Sequence, residues 1–204
     1  MSATADSRPY RIPSSLRDLV MLDLLELTGS TTATAELLAI SQPSISRRYR
    51  SLARDLGLER QSAAPVGRRF ADAPWITLLR RGINHHRLAR GVLRIGIDPH
   101  QEAALAEVPW AHCIRLGRQQ RTNWRTLLAL ELVDAIAITD ADGYVDEEAT
   151  VQFRVERIDG SDRALTLLCR RDPLVLEICQ RICELRRSLA VGPPPGGQAD
   201  PATP

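Results

Sequence analysis

A mixed fold is predicted for this 204-residue chain: an all-α-rich N-terminal half built around a helix-turn-helix, followed by a small α/β half. Three observations carry that expectation. Between Ser30 and Leu56, two helical periods are joined by a tight turn, and the second is loaded with arginine. From Val92 onward, short apolar strand-like runs alternate with helical ones, the rhythm of βαβ units around a parallel sheet. The halves also differ in charge. Residues 1–95 hold 15 Arg against 8 acids, a net of +7, and residues 96–204 hold 12 Arg against 17 acids, a net of −5.

A basic half beside an acidic half points to a polyanion partner on one side only, with chance segregation as the plain alternative. All 27 basic residues are Arg, which by itself indicates no more than an Arg-biased composition.

Taken in order, Leu16, Leu19, Val20, Leu24 and Leu27 form an apolar helical stripe that ends at the Gly29 break. Thr34, Ala35, Leu37 and Leu38 lie on a short second helix, and Ala39-Ile40-Ser41 is the turn. Ser41 suits an N-cap, and Pro43 is tolerated just inside the start because first-turn amides have no intrahelical partner. The next helix therefore begins near Gln42. Ile45, Tyr49, Leu52 and Leu56 recur on one face and dock inward, so Pro43, Arg47, Arg50 and Arg54 point the opposite way. Such a helix presents Gln for pairing with adenine and Arg with guanine, while flanking arginines hold phosphates. An ordinary helical hairpin with a solvated basic face is the competing reading of the same pattern.

Gly29-Ser30, Ala35-Glu36, Leu38, Ser41-Gln42-Pro43, Ser46-Arg47, Leu52 and Leu56-Gly57 stand in the order and spacing of the N-terminal winged helix-turn-helix of the LysR-type transcriptional regulators. The chain resembles that bacterial family here, and Gly67-Arg68-Arg69 resembles its wing tip. Two positions depart from the pattern. Thr31 sits where the family usually has an aromatic residue, and Leu58-Glu59-Arg60-Gln61 replaces the usual start of the wing.

The resemblance implies a sequence-specific, DNA-binding transcriptional regulator whose partner is double-stranded DNA. Its DNA-binding residues would be Gln42, Pro43, Ser44, Ser46, Arg47, Arg48, Arg50, Arg54, Arg68 and Arg69. Among them Gln42, Ser46, Arg47 and Arg50 would read bases, and Arg48, Arg54, Arg68 and Arg69 would contact phosphates.

The implied domains are a flexible N-terminus (1–13), the winged helix-turn-helix (14–73), a linker or dimerisation helix (74–90), an effector-like α/β domain (91–190) and a Pro- and Gly-rich disordered tail (191–204). The linker helix, Trp75 to Leu88, would pair two subunits in a homodimer with Leu79 and Ile83 at its centre. The alternative is a short amphipathic helix packed only on its own winged domain.

In the α/β half the expected elements are a strand at VLRIGID, a helix at PHQEAALAEV, a strand at AHCIRLG, a helix at TNWRTLLALEL and a strand at DAIAITD. Two further strands are expected at Val151 to Ile158 and Ala164 to Cys169, then a helix from Leu174 to Leu189. These resemble one lobe of the family's periplasmic-binding-protein-like effector domain. About 100 residues suffice for one lobe and leave no inter-lobe cleft, so a conventional effector response is not expected. Asp98, Pro99, His100 and Asp140 to Gly143 could still line a shallow site at the carboxyl ends of the strands. A small-molecule-sensing α/β module, its DNA-binding role secondary or lost, is the alternative function.

Other chemistry is weakly signalled. Adjacent His85 and His86 would point about 100° apart on a helix and could not easily share a metal. Cys179 and Cys183 share a helix face, more typical of buried thiols than of a metal site. Neither Asp98 with His100 nor His112 with Cys113 has a third catalytic partner, and no phosphate-binding Gly loop or nucleophile elbow is present. No enzyme activity, cofactor or metal is therefore expected. Four cysteines without a CxxC pair, no membrane-length apolar run and no signal-peptide core lead to a cytoplasmic location as the expectation.

Overall fold

The computed structural model describes residues 12–61, 63–70, 74–105, 108–139, 150–155 and 165–190. Seven α-helices and five strands are present among them: α1 (Arg17–Thr28), α2 (Thr31–Leu38), α3 (Gln42–Leu56), α4 (Pro74–Leu88), β1 (Leu93–Ile97), β2 (Ala111–Arg115), α5 (Arg118–Thr122), α6 (Trp124–Ala129), β3 (Ala135–Thr139), β4 (Thr150–Val155), β5 (Leu165–Arg170) and α7 (Pro173–Ala190). The expected flexible N-terminus lies outside the described residues up to Arg11, as do Asp140 to Gly143 and the 191–204 tail.

In α1 every residue from Val20 to Leu27 is buried, which a helix apolar on nearly all sides requires. One side packs with Ala35, Ile45, Leu58, Phe70 and Ile76 to form the core of the helical unit. The other side, with Val20, Leu24 and Leu27, joins Ile83 of α4, Trp124, Leu127 and Leu128 of α6, and Ile114, Ile136 and Leu168 of the sheet. The helical unit and the α/β unit thus share an apolar cluster.

The sheet order is β2-β1-β3-β5-β4. β1 runs parallel to β2 and β3, whereas β5 is antiparallel to both β3 and β4. The wholly parallel sheet suggested by the alternating rhythm is therefore corrected to a mixed one. Only nine residues separate Val155 from Leu165, and a parallel crossover needs a dozen or more, so these strands pair antiparallel. α7 closes the opposite face through Val175, Ile178, Cys179 and Ile182 against Leu93, Ile95 and Leu167.

Two expected helices take other forms. Pro99–Ala104 is a 3-10 turn, and the segment around Trp124 is divided into α5 and α6.

Candidate nucleic-acid interface

Two helices flank the expected turn, α2 ending at Leu38 and α3 starting at Gln42. Ser30 caps α2 by accepting from the Ala33 amide at 3.3 Å, and Thr28 and Thr34 hydroxyls meet at 2.9 Å beneath that cap. The turn bends through Ala39, whose φ of 52° is left-handed and costly for a residue with a Cβ. Ser41 holds the N-cap position, yet its hydroxyl contacts the Ser44 hydroxyl at 2.8 Å and not a backbone amide, which corrects the expected cap.

On α3 only Ile45 is fully buried; Tyr49 and Leu52 are half-buried and Leu56 is exposed, so the inward stripe fades toward the C-terminus. Gln42, Pro43, Arg47, Arg48, Arg50 and Arg54 are exposed, and Ser44 and Ser46 half-buried. Among the described residues the side chains of Arg47, Arg50 and Arg54 make no hydrogen bond or ion pair, whereas Arg48 lies 3.8 Å from Asp18. The Gln42 amide is held from the preceding helix: its Nε2 donates to Thr31 Oγ1 at 3.0 Å.

The described residues 58–61 and 63–70 carry no strand, and the Gln61 amide donates to the Arg69 carbonyl at 2.7 Å. Arg68 is exposed. Arg69 is 8% exposed, and its guanidinium donates to the carbonyls of Leu27 at 3.3 Å and Ala64 at 3.2 Å and to that of Glu26. The Glu26 and Leu27 carbonyls are among those that the end of α1 leaves without intrahelical partners. The phosphate role expected for Arg69 is therefore corrected: its charge is turned inward.

Buried Glu26 accepts from the Gly67 and Arg69 amides, and Arg60 donates to the Gly29 carbonyl. Gly29 has φ +67°, and a Cβ there would meet Arg69 Cζ at 2.8 Å. Gly67, at φ +93°, lies where a Cβ would meet Leu130 Cδ1 at 2.3 Å, so the loop tip presses on the α/β unit. At either position a Cβ would force the facing side chain to shift, and the positive φ adds strain of its own.

α4 departs further from expectation. Ile83, placed at a dimer centre by the sequence, is 5% exposed and belongs to the shared internal cluster. The helix is also tied down by polar groups: Arg80 Nε donates to Asp23 at 2.7 Å, Asn84 Nδ2 to the Glu131 carbonyl at 2.7 Å and Arg87 to Asp134 at 2.6 Å. Leu78 and Leu79, by contrast, are 67% and 41% exposed.

Asp98 caps the following 3-10 turn by accepting from the His100 amide at 3.0 Å, and pairs with Arg121. Burial pushes the Cys113 thiol up to about 11, with nearby Glu102 adding to the shift. Cys169 and Cys179 meet inside the core. No three His, Cys, Asp or Glu among the described residues are grouped to hold a metal. No described helix is long and apolar enough to cross a membrane.

Several solved structures are similar to the chain. A full-length variant of OxyR from Pseudomonas aeruginosa is 17% identical with a TM-score of 0.35, covering 71% of this chain and 54% of that one. CrgA, a LysR-type transcriptional regulator from Neisseria meningitidis, is 17% identical with a TM-score of 0.31, covering 72% and 54%. Full-length CbnR complexed with its target DNA is 17% identical with a TM-score of 0.28, covering 69% and 54%. The chain spans about half the length of these proteins. No family model and no curated protein matches it. Likenesses at this level leave function to the residues themselves.

Proposed function

We propose that this chain is a sequence-specific DNA-binding transcriptional regulator of the LysR type. The observation that carries the reading is α3 itself, with Arg47, Arg50 and Arg54 exposed on its outward face and Gln42 exposed in its first turn behind a turn-linked partner helix. Uncompensated guanidinium groups on one helix face suit a groove lined by phosphates, and Gln and Arg near its N-terminal end suit base edges. Arg48 and Arg68 complete the phosphate contacts, and Pro43, Ser44 and Ser46 fit the helix start against the groove. Arg69 serves as an internal brace.

Two copies reading half-sites one DNA turn apart would supply the affinity that one small unit lacks. The outer face of α4, with Leu78 and Leu79, is the surface proposed for that pairing. Because β3 and β5 pair directly with no second lobe between them among the described residues, operator affinity is proposed to be insensitive to metabolites.

Selection of bound fragments from a genomic library by the purified protein tests the function. Enrichment of a common motif, with affinity falling steeply as salt rises, is the expected result. Uniform recovery of all fragments would overturn it.

A further inference from the structure

Resting on the DNA-binding reading above, we infer that Thr31 sets base specificity at one operator position by holding the Gln42 side chain for adenine. Thr31 opens α2 and Gln42 opens α3, eleven residues apart, and Nε2 of Gln42 donates to Thr31 Oγ1 at 3.0 Å. A glutamine amide has two N–H donors and one oxygen acceptor. With one N–H occupied by Thr31, the amide keeps one donor and one acceptor side by side.

In the major groove that pair matches adenine, which offers N7 as acceptor and its N6 amino group as donor. Guanine offers two acceptors there, N7 and O6, and would leave the Gln42 oxygen facing another oxygen. A free glutamine could rotate its amide to meet guanine with both N–H groups. The Thr31 hydroxyl removes that option by tying one of them down.

Gln42 is exposed and Thr31 half-buried, so the amide is held without being withdrawn from a ligand. Neighbouring Arg47 is exposed and makes no such bond, so its base preference is independent of Thr31.

The test is in vitro selection from a randomised duplex library with the full chain, comparing the unaltered protein, Thr31→Val, Thr31→Ser and Gln42→Ala. The expected result is a motif in which one adenine position loses roughly 2- to 10-fold of its preference over guanine in Thr31→Val, the size of one surface hydrogen bond. Gln42→Ala should flatten the same position and Thr31→Ser should restore it, while all other positions stay unchanged. Thermal melting identical to the unaltered protein excludes misfolding of Thr31→Val. Selection of a motif that Thr31→Val leaves unchanged, or weakens equally at every position, would overturn the assignment of Thr31 alone. Failure of the unaltered chain to select any motif would overturn the DNA-binding reading and this inference with it.

Discussion

Arg68 and Arg69 are chain neighbours with opposite environments, and the difference is measurable. Arg68 is solvent-exposed, whereas Arg69 satisfies carbonyls at the end of α1 from a buried position. Arg69→Ala should cost about 2 to 4 kcal/mol in urea unfolding, because buried carbonyl acceptors lose their donor with no water to replace it. Arg68→Ala should leave stability within about 0.5 kcal/mol and lower the salt dependence of DNA affinity by about one ion. If Arg69→Ala unfolds like the unaltered protein, the inward assignment is wrong. Residue order alone could not separate the two arginines. Both follow Gly67 in a basic run, and only the return of residues 67–69 onto α1 makes the distinction. The exposed arginines of α3 were legible because a 3.6-residue period fixes which side chains lie opposite Ile45.

At the scale of elements, α4 shows how a correct helix can carry a misassigned face. Its span was readable from apolar spacing after Pro74, and the observed Pro74–Leu88 agrees with the expected Trp75 to Leu88. Its orientation was not. Arg80, Asn84 and Arg87 are held by Asp23, Glu131 and Asp134, which lie 47 or more residues away in sequence and are brought to them only by the fold. The side left open carries Leu78 and Leu79, so Leu78→Asp should shift a dimer to monomer in light scattering while moving the melting temperature little. Ile83→Asp should instead lose the fold, since it buries a charge in the shared cluster. A Leu78→Asp protein that remains dimeric would place the subunit contact elsewhere.

The turn between α2 and α3 supplies a second element-scale test. Ala39 sits at φ 52°, a conformation that glycine adopts without steric cost. Ala39→Gly should therefore raise stability by about 0.5 to 1 kcal/mol in denaturant unfolding. A loss of that size would mean the turn is not strained at Ala39.

At the scale of the molecule, one buried acid adds a polar tie to the apolar cluster that joins the helical unit and the α/β unit. Asp134, fully buried at the start of β3, accepts from Arg87 at 2.6 Å, from the Arg94 amide at 2.8 Å and from Arg170 at 3.3 Å. Arg87 belongs to α4, Arg94 to β1 and Arg170 to β5, so the carboxylate binds three elements together. Burial by itself would raise its pKa, but the arginines and the amide outweigh it and hold the carboxyl below the usual carboxylate range.

A group whose folded pKa is depressed contributes its full stability above the unfolded value of about 3.9, and loses it as pH falls through the folded one. Stability should thus be insensitive to this group between about pH 5 and 8 and decline below about pH 4. Asp134→Asn should abolish its share of that decline and cost about 3 to 5 kcal/mol at neutral pH by leaving Arg87 without its counter-charge.

Because α1 lies in both apolar clusters, the two units should also unfold together. Trp75 packs in the helical unit and Trp124 in the shared cluster, so single-tryptophan variants report on each. Coincident fluorescence transitions are expected, along with parallel losses of stability at both sites in Asp134→Asn. A Trp75 signal that melts at a separate temperature, or that ignores Asp134→Asn, would show the helical unit to be independent of the sheet.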